Sequence, residues 1–191
     1  MKRDIILAGV GGQGILSIAA VIGMAAVESG LYLKQAEVHG MSQRGGAVQS
    51  HLRISDAPIA SDLITEGKCD MILSVEPMEA LRYLPFLGPD GWVITSSKPF
   101  VNIDDYPEEE DILQALKKVE KHLIIDANEL ARGLGSQKVS NMVMLGAASG
   151  LLGLTRESLH QALGNLFGRK GEEIVQLNID ALQAGQNAAE L

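Results

Sequence analysis

Gly9, Gly11 and Gly14 stand at the spacing G-x-G-x-x-G, in the run Gly9-Val10-Gly11-Gly12-Gln13-Gly14. Glycine admits positive φ and lets backbone amides come close to a phosphate. A helix starting directly after the run would add free N–H groups and a partial positive charge. The loop can therefore cradle a nucleotide phosphate, or it can be only a tight turn with close packing. The residues leave both readings open. Neither familiar nucleotide motif is complete. A Walker A loop needs Lys and a hydroxyl residue where Ile15 and Leu16 stand. A nicotinamide site needs an acid about 20 residues further on. Glu37 falls late for that role and Glu28 early.

The second dense run is His39-Gly40-Met41-Ser42-Gln43-Arg44-Gly45-Gly46. A guanidinium at Arg44 can grip a carboxylate or phosphate in a forked geometry. Gly45 and Gly46 would let a ligand or partner approach the backbone. The plainer alternative is a surface loop with one solvated Arg. His39 has the residue type to titrate near neutrality, and a structural role suits it equally well. His51 is expected on an exposed strand face, and His122 and His160 carry no motif.

Positioning these loops requires strands that end at them. Ile5-Ile6-Leu7-Ala8 reads as a strand buried on both faces. The Ala/Ile/Leu-rich stretch over 15–29 predicts a helix, stopped by Gly30. Further strands are expected over 31–38, 47–54, 71–75, 92–95 and 123–125. The strand over 47–54 should be half exposed, with Gln49, His51 and Arg53 on its open face. Pro77 suits a first helical position, followed by Met78, Leu81 and Leu84. The stretch 107–121 is acidic at its start and basic at its end, as a helix dipole favours. Pro89-Asp90-Gly91 reads as a turn. After about residue 140 the strand signals stop, and helices are expected over 141–152, 157–167 and 172–184. The fold class is α/β: a Rossmann-like, mainly parallel sheet with helices on both faces and a helical C-terminal segment. The first two strands are expected side by side, so that both loops open on one rim. No repeat or linker divides residues 1–191, which read as a single domain.

Composition narrows the function. Sixteen basic residues against twenty-four acidic ones give a net charge of -8, which disfavours a nucleic-acid partner. With 4% aromatic residues, base-stacking platforms are not expected either. The single cysteine, Cys69, rules out an intramolecular disulfide and a four-cysteine cluster or zinc site within the chain. The balance fits a reducing cytoplasm. No export signal is evident, and the apolar stretch that begins near Ile15 is too short to span a bilayer, so no membrane role is expected. The run Met142-Val143-Met144-Leu145-Gly146-Ala147-Ala148 is apolar enough for core or for a subunit interface, a homodimer included.

The glycine run, the segment Glu37 to Gly46 and the segment Asn141 to Ala147 occur together and in this order. The set closely resembles the gamma-type domain of 2-oxoacid:ferredoxin oxidoreductases, over nearly the whole chain. The His-Gly-Met-Ser-Gln-Arg-Gly-Gly form is most similar to the beta subunit of the indolepyruvate members. Such enzymes oxidatively decarboxylate a 2-oxoacid such as pyruvate or an arylpyruvate with thiamine diphosphate. They pass electrons through iron-sulfur clusters to ferredoxin and form an acyl-CoA. This chain lacks a cysteine cluster and a thiamine-type Gly-Asp-Gly followed at a distance by Asn; after Pro89-Asp90-Gly91, Asn102 comes too soon. The resemblance thus implies that thiamine diphosphate and the clusters sit on a larger partner subunit, that ferredoxin is met through the complex, and that the chain alone is inactive. It implies no tightly bound cofactor here, with coenzyme A as co-substrate. Gly9, Gly11, Gly12, Gln13, Gly14, Arg44, Gly45 and Gly46 become candidates for contacting CoA phosphate or closing the cavity. No catalytic residue and no metal ligand are assigned. Two other readings stand beside this one: a separate Rossmann-type nucleotide-binding protein, and a non-catalytic module that binds a partner.

Overall fold

The computed structural model describes residues 1–40, 45–101 and 103–189, and of His39 only the backbone. Arg44, with Met41, Ser42 and Gln43, lies outside the described residues.

Among the described residues six strands form one sheet: β1 (Lys2–Val10), β2 (Tyr32–His39), β3 (Ala47–Ser55), β4 (Cys69–Ser74), β5 (Leu87–Ser96) and β6 (His122–Ile125). Their spatial order is β2-β3-β1-β4-β5-β6. The pairs β1–β4, β4–β5 and β5–β6 are parallel, whereas β3 runs antiparallel to both of its neighbours. The mainly parallel α/β sheet is as expected, but the first two strands are not adjacent. β2 and β3 form a hairpin, and β3 occupies the place beside β1, pairing Val10 with Ala47. The rim survives this correction, because β2 still runs parallel to β1 and β3 starts where both end.

Side chains of β1 alternate between two cores, as the strand period of two requires. Ile5 and Leu7 pack in the larger core with α1 (Ile15–Glu28), and Ile6 and Ala8 face the smaller one. Helix α2 (Pro77–Arg82) and α3 (Glu109–Leu116) cover the smaller core. The helix over 107–121 is thus much shorter than its charge pattern suggests, and only its acidic start lies in α3. On the larger side lie α4 (Ala127–Gly133), α5 (Ser140–Leu152), α6 (Arg156–Phe167) and α7 (Glu172–Ala189). Helix α4 was not expected; its seven residues are too few for a periodic signal, and Asp126 caps it by accepting from the Glu129 N–H. Pro89-Asp90-Gly91 is not a turn but part of β5, at an irregular pairing with β4 between Cys69 and Met71.

The apolar run of α5 is core rather than surface, buried from Asn141 through Ser149. A helix hydrophobic on all sides needs neighbours on all sides, and α5 lies between the sheet and α7. Two glycines allow the contact with α7. A Cβ at Gly146 would overlap the Leu182 carbonyl, and one at Gly185 would overlap the Val143 carbonyl.

β3 is not half exposed. His51 is 5% exposed, and the segment after β3 folds over it. The His51 Nδ1 accepts the Ile64 N–H at 3.0 Å, and its ring stands edge-on to Phe86 with centroids 5.4 Å apart. Burial first, and the Arg53 charge second, hold the His51 pKa below its usual range. Arg53 is also turned inward and binds the buried Asp4 carboxylate with Nε at 2.7 Å and Nη2 at 3.1 Å. Among the described residues no helix is long and apolar enough to cross a membrane.

Candidate functional site

The two glycine loops meet. The Gly11 N–H donates to the Gly46 carbonyl at 2.9 Å, and the Gly40 N–H donates to the Ala47 carbonyl at 2.8 Å. The end of the second loop is thereby fixed beside the first, on the rim formed by the C-terminal ends of β1 and β4. Ligands of open α/β sheets bind outside such ends.

Within the first loop the residues divide by task. Gly9 is a packing residue: a Cβ there would stand 2.5 Å from a Val75 methyl and 2.6 Å from Ile15 Cδ1. Gln13 braces the turn. Its N–H donates to the Val10 carbonyl at 3.1 Å, and its side-chain carbonyl accepts the Val10 N–H at 2.8 Å. Gly14 adopts a left-handed conformation, φ 81°, immediately before α1. No side chain caps this helix, and no acidic residue lies in its first turn. Its first amides and the positive end of its dipole are therefore available to an anion.

A cleft of about 310 Å³ opens at this helix start. Gly12, Gln13, Gly14 and Ser17 line one wall. The facing wall comes from the C-terminal helical segment: Ser136, Lys138 and Asn141 on one side, Phe167, Lys170 and Asn178 on the other. Asn141 joins the walls, its Nδ2 donating to the Gly14 carbonyl at 3.1 Å. Lys138 and Lys170 make no ion pair among the described residues, and the Lys170 ammonium sits 5.3 Å from the centre of the Phe167 ring. Among the described residues that line the cleft none is acidic. In a chain of net charge -8 this is a local cationic concavity, suited to a phosphate or carboxylate.

Of the eight residues that the sequence singles out, Gly12, Gln13 and Gly14 line the cleft. Gly9, Gly11, Gly45 and Gly46 are not among its lining residues, and Gly11 and Gly46 serve to join the loops. Sequence reasoning missed Lys138, Lys170, Asn141 and Asn178 as site residues. Asn141 was within reach, since it opens the third quoted segment. The others carry no spacing signal, because only the packing of α5 and α7 brings them to the loop.

A second polar cluster lies at the end of β4. Glu76 is fully buried and accepts from the Glu79 N–H at 2.8 Å, the Phe100 N–H at 3.3 Å and the Tyr106 hydroxyl. Glu79 is buried as well, paired with Arg82 at 2.9 Å, and its burial raises its pKa. Every carboxylate oxygen here has a protein partner, so the cluster reads as an anchor for the segment after β5. Cys69 is buried, and burial pushes its thiol up to about 12, which leaves it unreactive.

Residues 4–188 match the family described as pyruvate ferredoxin/flavodoxin oxidoreductase. The indolepyruvate oxidoreductase subunit IorB of Archaeoglobus fulgidus is 37% identical, over 99% of this chain and 96% of its own. The gamma subunit of keto/oxoacid ferredoxin oxidoreductase from Geobacter sulfurreducens superposes with a TM-score of 0.70 at 26% identity, over 98% of both chains. The 2-oxoglutarate:ferredoxin oxidoreductase of Magnetococcus marinus, solved with 2-oxoglutarate, coenzyme A and succinyl-CoA, shares the fold with a TM-score of 0.79 at 24% identity. That likeness covers 99% of this chain but 31% of the Magnetococcus chain. A family match over nearly the full length, together with a relative well above 30% identity, decides the matter: the chain belongs to the pyruvate ferredoxin/flavodoxin oxidoreductase family.

Proposed function

We propose that this chain is the subunit of a 2-oxoacid:ferredoxin oxidoreductase that holds coenzyme A and closes the active-site cavity, with an arylpyruvate such as indolepyruvate as the 2-oxoacid. The observation that carries the reading is the cleft. It joins the uncapped start of α1 to Lys138 and Lys170, and no acid among the described residues lines it. An anionic co-substrate fits such a place, and the similarity to IorB supports the arylpyruvate.

The rest of the chemistry is assigned to a larger partner subunit. Thiamine diphosphate and iron-sulfur clusters there would supply decarboxylation and electron transfer to ferredoxin. One buried cysteine cannot ligate a cluster, and no group of three potential metal-ligating side chains gathers among the described residues. This chain's own contribution is binding. The Gly12–Gly14 backbone and the first amides of α1 hold a phosphate oxygen, the lysines balance its charge, and the helical wall shields that face from water. Fixing the co-substrate relative to the partner's active centre lowers the entropy cost of the acyl-transfer step.

Anaerobic purification from the native source, followed by assay with indolepyruvate, CoA and ferredoxin, tests this reading. The chain should co-purify with a cluster-bearing subunit, and turnover should require both. Turnover by this chain alone, or full CoA-dependent turnover by the partner without it, would contradict the proposal.

A further inference from the structure

We infer that two copies of this chain pair through β2, antiparallel and centred on Gln35, so that their sheets join across a twofold axis. Among the described residues the sheet ends at β2 on one side and at β6 on the other. An edge strand turns backbone N–H and C=O groups outward with no strand to receive them. Proteins keep such edges short, charged, or broken by proline or a bulge. β6 has four residues. β2 has eight, contains no proline and pairs with β3 in unbroken register. Its one lysine, Lys34, is neutralised by Asp62 at 2.9 Å. Apolar side chains flank the strand on both faces. Tyr32 and Val38 are 50% and 53% exposed, and their even separation puts them on one face. Leu63, next in the chain to Asp62, is exposed too. On the α1 side Gly23 lies against Leu33, and Val27, one helical turn further on, is exposed.

The strand's own sequence selects a second copy as the occupant. A twofold axis normal to the sheet keeps each face with its like, so the pairing must be centred on a residue. Centred on Lys34 or on Glu37, it would set like charges directly opposite each other. Centred on Ala36, it would put Lys34 against Val38 and leave Tyr32 opposite the Gly40 backbone. Centred on Gln35, Tyr32 of each copy faces Val38 of the other, an aromatic and β-branched pair that forms twice. Lys34 then faces Ala36, and Leu33 faces Glu37. The apolar run of α5, the interface suggested by composition, is core and does not compete. Because β2 runs parallel to β1, antiparallel pairing points the two rims in opposite directions. Each cleft stays open to its own larger subunit.

Sedimentation equilibrium of the full chain over a range of concentrations tests the pairing, and the mass should rise to twice that of one chain. Tyr32→Glu and Val38→Lys should each weaken dimerisation about tenfold, since each lost pair counts twice. Both changes in one chain should restore the wild-type Kd to within about threefold, because the new charges face each other across the axis. Within one chain the two positions lie about 20 Å apart, too far to compensate internally. Both residues are exposed, so the substitutions should leave the fold intact, with circular dichroism as the check. Gln35→Cys should oxidise to a covalent dimer, because facing Cα atoms fall within disulfide reach, whereas Tyr32→Cys should not. Cys69 is buried and does not interfere. A monomer at every concentration, a dimer indifferent to the single changes, or a double variant no tighter than the singles would overturn the inference. Each of these outcomes is read on the chain alone and leaves the subunit assignment standing.

Discussion

The Asn141 amide nitrogen donates to the Gly14 carbonyl at 3.1 Å and stands 2.5 Å from where a Gly14 Cβ would lie. The residue that ends the glycine loop and the residue near the start of α5 are therefore one joint. It ties the sheet rim to the helical C-terminal segment and sets the width of the cleft. Gly14 is required twice over, by its φ of 81° and by this contact.

Gly14→Ala should cost about 1–3 kcal/mol, through strain in the left-handed region and overpacking against Asn141. Urea unfolding should show a lower midpoint with an unchanged slope. Asn141→Ala should cost about 1 kcal/mol on its own. The double variant should lose less than the sum, because removing Asn141 relieves the overlap but not the φ strain. Strict additivity would show that the joint is not coupled as described.

Gly146 and Gly185 make the corresponding joint between α5 and α7. Each faces a backbone carbonyl of the other helix, of Leu182 and Val143 respectively. Backbone cannot move aside as a side-chain end can. Gly146→Ala and Gly185→Ala should each destabilise by roughly 3 kcal/mol, the upper end of overpacking, despite the better helix propensity of Ala. Thermal unfolding should move down by several degrees for each. Gly164, with nothing near its Cβ position, is the control, and Gly164→Ala should be neutral or stabilising.

His51 gives a pH dependence with a fixed sign. Its pKa in the folded chain lies below the ordinary 6.5, mainly through burial. Between that folded value and 6.5 the unfolded chain binds the extra proton, so stability rises with pH there. The contribution is fully present above 6.5 and is lost as pH falls through the folded value. Protonation also removes the acceptor for the Ile64 N–H. Melting temperatures measured across this range should decline on the acid side, and His51→Gln should flatten the decline. Equal slopes in both proteins would assign the pH dependence to other groups.

Tyr106→Phe removes a hydroxyl donor from the fully buried Glu76 carboxylate. Bonds to buried charges carry about 1.5–3 kcal/mol, and a loss in that range is expected. Amide exchange should rise around Phe100, whose N–H shares Glu76 Oε1. A change below a few tenths of a kcal/mol would mean that the bond contributes little to holding the segment.

The sequence made the local features legible and hid those that depend on packing between distant segments. The burial of β1, the helix after the glycine loop and the helical C-terminal third follow from apolar runs and breakers. Three local signals misled. Proline and glycine in Pro89-Asp90-Gly91 suggested a turn, but β5 absorbs them at a bulge. The polar residues of β3 suggested an open face, because nothing in residues 56–68 announces that this segment covers His51. The charge gradient over 107–121 suggested a long helix, whereas Leu116 ends it and the basic residues lie beyond. For the site, the glycine loop was visible as a motif, and its place on a rim followed from strand and helix order. Lys138, Lys170 and Asn178 were not visible, since only the docking of α7 on α5 sets them opposite Gly12–Gly14. Arg44 lies outside the described residues, and its part in ligand or partner binding stays a proposal from sequence.

Hydrogen–deuterium exchange on the assembled complex, with and without CoA and under anaerobic conditions, tests the central claim most directly. Peptides spanning 11–18, where the loop passes into the uncapped start of α1, should exchange more slowly with CoA bound. Peptides covering 136–141 and 167–178 should be protected with them, while the smaller core under α2 and α3 should not respond. Unchanged exchange over 11–18 at saturating CoA would contradict the account and move the co-substrate to another part of the complex.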